Sequence, residues 1–325
     1  MSVILAIDGG GSRTRCLAID RGGRVLGRSE TGPSNHLLVS GEVVRRSLAE
    51  AIDEALRSSG LNRDGVACVS AGLAGVDFDG AGAAEMQSLL EDLGFKDSVI
   101  NGDMVIAHAG ALQSRPGVIA LAGTGSVTLG IGVKGERVKV GGWGPVYGDE
   151  GSAYRIGQMA LTAAARAYDG RGPATSLSEA LLIALGLRDF RETITRVYVE
   201  GMEPRQIASL ARVAYEIAEA GDEVARDLFI TAADQLVESV AAAVRQLELN
   251  ADEILVSYQG SVLESCRLLQ ERFVAQLKGS PLRPTVVAPE FEPVIGSYWL
   301  GCNTIGWRVD SGVRDELKRG QSVFQ

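Results

Sequence analysis

The sequence predicts an α/β protein built of two related halves, the second carrying an all-helical insertion, and three observations carry that expectation. One order of elements (strand, glycine and hydroxyl loop, strand, turn, strand) occurs twice, first over Val3–Ser29 and again over Val118–Val140. Apolar residues at helical spacing alternate with short strand-like runs through most of the remaining chain. Residues 174–250, by contrast, hold helical periodicity with no strand between.

The first copy opens with an apolar run, Val3 to Ile7, that ends in Asp8, Gly9, Gly10, Gly11, Ser12, Arg13 and Thr14 and resumes as a strand from Cys16 to Ile19. Arg21-Gly22-Gly23-Arg24 then turns the chain into a third strand, Val25 to Ser29. Glycines let a backbone approach a phosphate, whose oxygens take loop N–H groups, and the hydroxyls add donors. Asp8, at the end of a buried strand, is the candidate for holding a hydrated Mg²⁺ beside those oxygens. Neither a Walker loop nor a Gly-x-Gly-x-x-Gly fingerprint has this spacing, and an ordinary glycine-rich hairpin is the alternative.

Thr31-Gly32-Pro33-Ser34-Asn35-His36 is a loop of turn formers, and Ser34, Asn35 and His36 are candidate ligand contacts or a surface turn. Val44, Leu48, Ile52 and Leu56 place a helix over 42–59 with Gly60 as its stop. A strand at Val66–Ser70 opens into the glycine-rich turn 71–77, and a second helix carries Met86, Leu89, Leu90 and Leu93. The strand Ser98–Asn101 ends in Asp103, just ahead of a helix over 104–112. A carboxylate in that position reads as a general base at a strand's carboxyl end, as a helix cap, or as both.

Gln113–Gly117, with Pro116, is the expected boundary, giving domains 1–115 and 116–292 with helix 293–309 rejoining the first. The second copy runs Val118–Ala122, Gly123-Thr124-Gly125-Ser126, Val127–Val133, a turn at 134–137, and Val138–Val140. Gly141-Gly142-Trp143-Gly144 leads to Gly148-Asp149-Glu150-Gly151-Ser152, read as opening a long helix with both acids in its first turn, where the helix dipole favours them. Trp143 among glycines offers a stacking face for a planar or sugar ligand.

Further helices are expected over 208–220 and 222–247. A strand at Ile254–Ser257 leads through Gln259-Gly260-Ser261 into a helix over 262–277, followed by a strand at 286–288 and a closing helix at 294–306. Gly260 and Ser261 suit a nucleotide's base or ribose, or a simple strand-to-helix turn. No element is predicted beyond Asp310.

At 325 residues, 46% hydrophobic and 22% charged, the chain suits two domains with ample core. A net charge of -9 argues against nucleic acid or anionic membrane as the main partner. No apolar run reaches the roughly 18 residues of a membrane span, and the N-terminus lacks a secretory pattern, so the cytoplasm is the expected location. Cys16, Cys68, Cys266 and Cys302 lie far apart without a Cys-x-x-Cys, which predicts neither disulfide nor metal site. His36 and His108, the only histidines, cannot make a His-rich zinc centre.

Taken together these motifs resemble the actin, Hsp70 and sugar kinase superfamily, and more closely the N-acetylglucosamine kinase and BadF/BadG/BcrA/BcrD ATPase family, from Val3 to about Gly301. Asp8-Gly-Gly-Gly-Ser-Arg-Thr resembles the first phosphate motif and Ala122-Gly-Thr-Gly-Ser the second. Gly141-Gly-Trp-Gly with Gly148-Asp-Glu-Gly-Ser-Ala-Tyr is the most specific signature. The resemblance implies two ribonuclease-H-like, actin-like ATPase domains closing on ATP with Mg²⁺ and an amino sugar, N-acetylglucosamine or glucosamine phosphorylated at the 6-hydroxyl, and it admits a homodimer. It places Asp103 as the base, Ser34, Asn35, His36, Trp143 and Asp149 on the sugar, both glycine loops on the phosphates, and Gly260 and Ser261 on the adenosine. Kinases of the family carry Asn after the second loop where this chain has Val127, a departure at the sugar's acetamido group. Two rivals share the fold: an ATPase energising a reductase or dehydratase partner, whose cluster-holding cysteines this spacing does not suit, and a nucleotide-gated binding module.

Overall fold

The computed structural model describes residues 2–247, 249 and 254–320, and divides the chain into two compact units, 1–116 with 288–325, and 117–287. The end of the helical stretch expected to reach residue 250 lies outside the described residues.

The first unit is a five-stranded sheet ordered β3-β2-β1-β4-β5. β1 (Val3–Gly9), β2 (Thr14–Asp20) and β3 (Val25–Thr31) form an antiparallel meander, and β4 (Val66–Leu73) and β5 (Ser98–Gly102) run parallel to β1. β1 is apolar from Val3 to Ile7 because both of its faces are covered there. Val3, Leu5 and Ile7 pack with Val44, Leu48 and Ile52 of α1 (Gly41–Ser59), while Ile4 and Ala6 pack with residues that follow the second unit. α2 (Ala83–Asp92) and α3 (Asp103–Leu112) complete the first pass through the unit.

The second unit repeats the order as β10-β9-β6-β7-β8. β6 (Gly117–Ala122), β7 (Ser126–Ile131) and β8 (Arg137–Gly141) are again an antiparallel meander, and β9 (Leu255–Gln259) and β10 (Thr285–Val286) are again parallel to its first strand side. Between them lie α4 (Ala153–Tyr168), α5 (Leu177–Leu185), the short α6 (Glu192–Ile194) running into a π-helical turn at Thr195–Val199, α7 (Pro204–Glu219) and α8 (Glu223–Gln246). α7 starts four residues before the expected 208, because Pro204 occupies its first turn and Glu203 and Gln206 form a reciprocal capping box.

The helix expected over 262–277 is two helices, α9 (Ser261–Ser265) and α10 (Arg267–Gly279), separated by an extended Cys266. Groups freed at the break find partners: the Arg267 N–H donates to the Tyr215 hydroxyl at 3.2 Å, and the Leu263 carbonyl accepts from the Gln270 amide at 3.0 Å.

α11 (Pro293–Ile305) returns to the first unit as one of its most buried helices. Ser70 Oγ donates to the Ser297 carbonyl and Ser297 Oγ to the Ser70 carbonyl, both at 2.6 Å, which locks α11 onto β4. Gly296 is needed there, since a Cβ would run into the Ile106 carbonyl oxygen and lie 2.5 Å from the Gly110 nitrogen on α3. α12 (Ser311–Gly320), beyond the last predicted element, lays Val313 and Leu317 against the turn after β2, where Gly23 has a φ of +85°.

The four cysteines are buried free thiols. Among the described residues no helix is long and apolar enough to cross a membrane.

Candidate active site

The β1–β2 hairpin closes through a hydrogen bond from the Gly10 N–H to the Arg13 carbonyl at 2.8 Å, leaving Ser12 and Arg13 exposed at its tip. None of Gly9, Gly10 and Gly11 has a left-handed φ, so glycine is required here for space. A Cβ on Gly9 would run into Ser34 Oγ and lie 2.6 Å from Leu73, and one on Gly11 would lie 3.2 Å from Leu38. Thr14 and Ser34 are fully buried, and their hydroxyls bond each other at 2.8 Å while Thr14 Oγ1 also lies 2.8 Å from the Gly32 carbonyl. The Ser34 N–H donates to the Gly10 carbonyl at 3.0 Å. These two side chains therefore face inward and fasten the 31–36 loop to the glycine hairpin.

Asn35 closes a tight turn, its Oδ1 accepting the Leu37 N–H at 3.0 Å. His36 is half-buried between two glycines with positive φ, Gly75 and Gly82; a Cβ on Gly75 would meet its Nδ1 at 2.8 Å. That Nδ1 is buried without a hydrogen-bond partner.

Asp8, the penultimate residue of β1, is half-buried, and Asp103 opens α3 directly after β5 with its Oδ1 accepting the Met104 N–H at 2.8 Å. Burial first and the charge of Asp103 second push the Asp8 carboxyl up from 3.8 to about 6, against the opposing pull of Arg15 and Arg13. Arg15 is itself shared between Glu30 at 3.1 Å and Glu292 at 3.4 Å. Two carboxylates that repel each other in this way fit a divalent cation. Among the described residues no group of three or more His, Cys, Asp or Glu is placed to hold a metal, so the fit is to an ion that takes its remaining ligands from phosphate and water.

In the second unit the Gly123–Ser126 loop is fastened to the start of α4. The Ala153 N–H donates to the Gly123 carbonyl at 2.9 Å, the Tyr154 N–H to the Thr124 carbonyl at 3.1 Å, and Ser126 Oγ to the Glu150 carbonyl at 2.7 Å. Asp149 is buried at φ +57°, with its carboxylate over Gly125: a Cβ there would lie 2.8 Å from Oδ2. Burial holds that carboxyl above the ordinary range, although N–H groups of Ser126 and Gly144 donate to it. Contrary to the sequence expectation, Asp149 and Glu150 precede the first helical turn. Ser152 caps α4, its Oγ accepting the Arg155 N–H at 3.1 Å, and the two acids lie in the loop leading to it. Gly151, at φ +79° against Leu236 and Ala232 of α8, turns the chain into that cap.

Trp143 is 67% exposed and stacks on Tyr147 with ring centroids 6.5 Å apart. At the end of β9, Gly260 has a φ of +104° and lies against Ala122, where a Cβ would sit 2.5 Å from the carbonyl oxygen. Ser261 lines a pocket of about 270 Å³ whose apolar walls include Ile156 of α4, Ala208, Ala211 and Tyr215 of α7, and Val262. Arg212, Tyr215 and Ser265 are pocket residues that the sequence reading missed. They sit in helices legible only as apolar periodicity, and nothing in their spacing marks a ligand.

The duplicated sheet, with a glycine loop after the first strand of each copy and carboxylates beside both loops, defines a nucleotide-binding α/β protein of the actin-like ATPase fold. The sequence profile of the BadF/BadG/BcrA/BcrD ATPase family matches residues 5–301, and the chain belongs to that family. It is 34% identical over 278 residues, 84% of this chain and 89% of the other, to the N-acetylmuramic acid/N-acetylglucosamine kinase of Clostridium acetobutylicum. It is 28% identical over 313 residues, 93% of this chain and 98% of the other, to the N-acetyl-D-glucosamine kinase of Dictyostelium discoideum. Among solved structures it resembles a proposed N-acetylglucosamine kinase from Chromobacterium violaceum, with a TM-score of 0.74, 26% identity, and coverage of 93% of this chain and 99% of that one.

Proposed function

We propose that the protein transfers the γ-phosphoryl group of ATP to the 6-hydroxyl of an amino sugar. The observation that carries this reading is the pairing of Asp8 and Asp103 beside a glycine hairpin, in a chain whose curated relatives are amino sugar kinases.

Phosphoryl transfer needs positioning and charge stabilisation more than covalent chemistry. Asp103 is the group to accept the proton of the attacking hydroxyl, since a carboxylate suffices when that proton leaves late. Asp8 would hold Mg²⁺, which when bound neutralises charge on the phosphate oxygens. The N–H groups at the hairpin tip, from Gly11 to Arg13, and those of Thr124 and Gly125 take phosphate oxygens, and Ser12 and Thr124, exposed in the two loops, add hydroxyls. Gly260, Ser261 and the adjoining apolar pocket take the adenosine. Asn35, His36, Trp143 and Asp149 hold sugar hydroxyls and the ring face. Thr14 and Ser34 serve by fixing the loop geometry, their hydroxyls being used on each other.

The test is a panel of hexoses, hexosamines and N-acylated hexosamines, read by ADP release and by phosphate on the product. Acceleration of ADP release by amino sugars, with 6-phosphate formed, is the expected result. ADP release that no sugar accelerates would instead favour an ATPase.

A further inference from the structure

Asp8 lies in an acid-rich row of the first sheet. It faces Arg15 of β2 in register, and Arg15 faces Glu30 of β3, so the three side chains leave the same face of the sheet. On that face Ile4 and Ala6 of β1 and Leu17 and Ile19 of β2 pack with Ile295 and Tyr298 of α11. Glu292, the residue before the first turn of α11, enters the row from there. On its other side Asp8 faces Gly72 of β4, where a Cβ would run into Ile106 of α3. That neighbour carries no charge, and the cation next to Asp8 across the sheet is Arg15.

The Arg15 guanidinium is divided between two acids. Its Nε donates to Glu30 Oε2 at 3.1 Å and its Nη1 to Glu292 Oε2 at 3.4 Å, and the side chain is only 15% exposed. It is held in a way that Arg13 is not: that side chain is 55% exposed at the hairpin tip, 3.6 Å from the same Glu30 oxygen. With its hydrogen bonds directed to Glu30 and Glu292, Arg15 acts on Asp8 through charge. That charge, more than that of Arg13, pulls the Asp8 carboxyl down against burial and the charge of Asp103.

A cation on Asp8 would meet the guanidinium at one cross-strand spacing. Mg²⁺ gives up its water reluctantly and is ordinarily held by one or two carboxylates together with phosphates. A carboxylate flanked by a fixed positive charge holds it poorly, and the phosphates of a nucleotide supply the negative charge that outweighs the arginine. With Asp8 read as the residue that holds the cation, as proposed above, we infer that Arg15 is a positioning residue whose fixed charge denies Asp8 a divalent cation in the absence of nucleotide, so that metal and nucleotide bind together.

The test is uptake of Mn²⁺, standing in for Mg²⁺, by the full chain without nucleotide, read from the spin resonance of the free ion, with thermal melts to show that each variant is folded. Arg15→Gln and Arg15→Met remove the charge, and Arg15→Lys keeps it while losing the fork. The two uncharged variants should take up Mn²⁺ about tenfold more tightly than the wild type, the order expected of one unit charge at that spacing, and Arg15→Lys should stay with the wild type. Adding Asp8→Asn to Arg15→Gln should abolish the gain. Equal uptake by the wild type and the uncharged variants, a gain that persists without Asp8, or an Arg15→Lys that behaves like Arg15→Gln would overturn the inference. Wild-type uptake as tight without a non-hydrolysable ATP analogue as with it would do the same, and needs no variant.

The analogue also tests Asp8 separately. Mn²⁺ should strengthen its binding to the wild type and much less to Asp8→Asn. If the strengthening were equal in both, Asp8 would not hold the cation and the role of Arg15 would fall with it. If it were lost in Asp8→Asn while Arg15→Gln gained no uptake, Asp8 would stand and the role of Arg15 alone would fall.

Discussion

The charge of Asp103 reaches Asp8 and, added to burial, holds the Asp8 carboxyl at about 6 instead of 3.8. Native Asp8 therefore keeps its proton to about pH 6, while the unfolded chain loses it near pH 4. Between those values deprotonation favours the unfolded state, so stability falls as pH rises, by on the order of 3 kcal/mol if this site acted alone. Asp8→Asn should lose less stability than the wild type between pH 4.5 and pH 7 in metal-free buffer, as read by urea midpoints. Mg²⁺ with nucleotide should recover stability in the wild type more than in the variant. Parallel pH profiles for the two proteins would show that Asp8 does not carry this strain.

The Thr14–Ser34 hydroxyl pair is buried, so removing one member leaves the other without its partner. Thr14→Val should cost about 1–3 kcal/mol of stability and weaken nucleotide binding by loosening the hairpin. Thr14→Ser, which keeps the hydroxyl, should retain both. Denaturant titration with nucleotide binding checks it; a direct phosphate contact by Thr14 would instead cost affinity while leaving stability unchanged.

Gly125→Ala should displace Asp149, because the new Cβ would lie 2.8 Å from Oδ2. The expected result is a folded protein with a raised KM for sugar and reduced kcat. Unchanged sugar kinetics would remove Asp149 from the site.

Ala208→Phe should fill the 270 Å³ pocket next to Ser261 and raise the KM for ATP severalfold, leaving sugar binding measured without nucleotide unaltered. A sugar defect of equal size would assign the pocket elsewhere.

How much of this was legible beforehand follows from the kind of signal each element leaves. The two glycine hairpins were readable because β1 and β6 are apolar runs stopped by glycine, and the repeated order reappears in the two sheets as β3-β2-β1-β4-β5 and β10-β9-β6-β7-β8. Asp8, Asp103 and Asp149 were readable as acids at strand ends or beside glycine. The direction of a side chain was not. Thr14 and Ser34 looked like ligand hydroxyls, yet the pairing of β2 with β1 and the Gly10–Ser34 backbone bond turn both inward. The start of α4 was misplaced because Asp149 adopts a left-handed φ, which no residue type but glycine announces. Glu203-Pro204-x-Gln206 marks the start of α7 in the sequence, through the capping box and the proline in the first turn.

The central claim is that Asp103 takes the proton of a sugar hydroxyl attacking ATP. Its most direct test is the single-turnover rate of amino sugar 6-phosphate formation by Asp103→Asn at saturating ATP, Mg²⁺ and sugar, with sugar affinity measured beside it. The expected result is a rate lower by roughly 10² to 10⁴, with sugar affinity little changed and no rescue by added Mg²⁺. Near-normal turnover in that variant, with turnover abolished in Asp149→Asn at unchanged sugar affinity, would contradict it and make Asp149 the base.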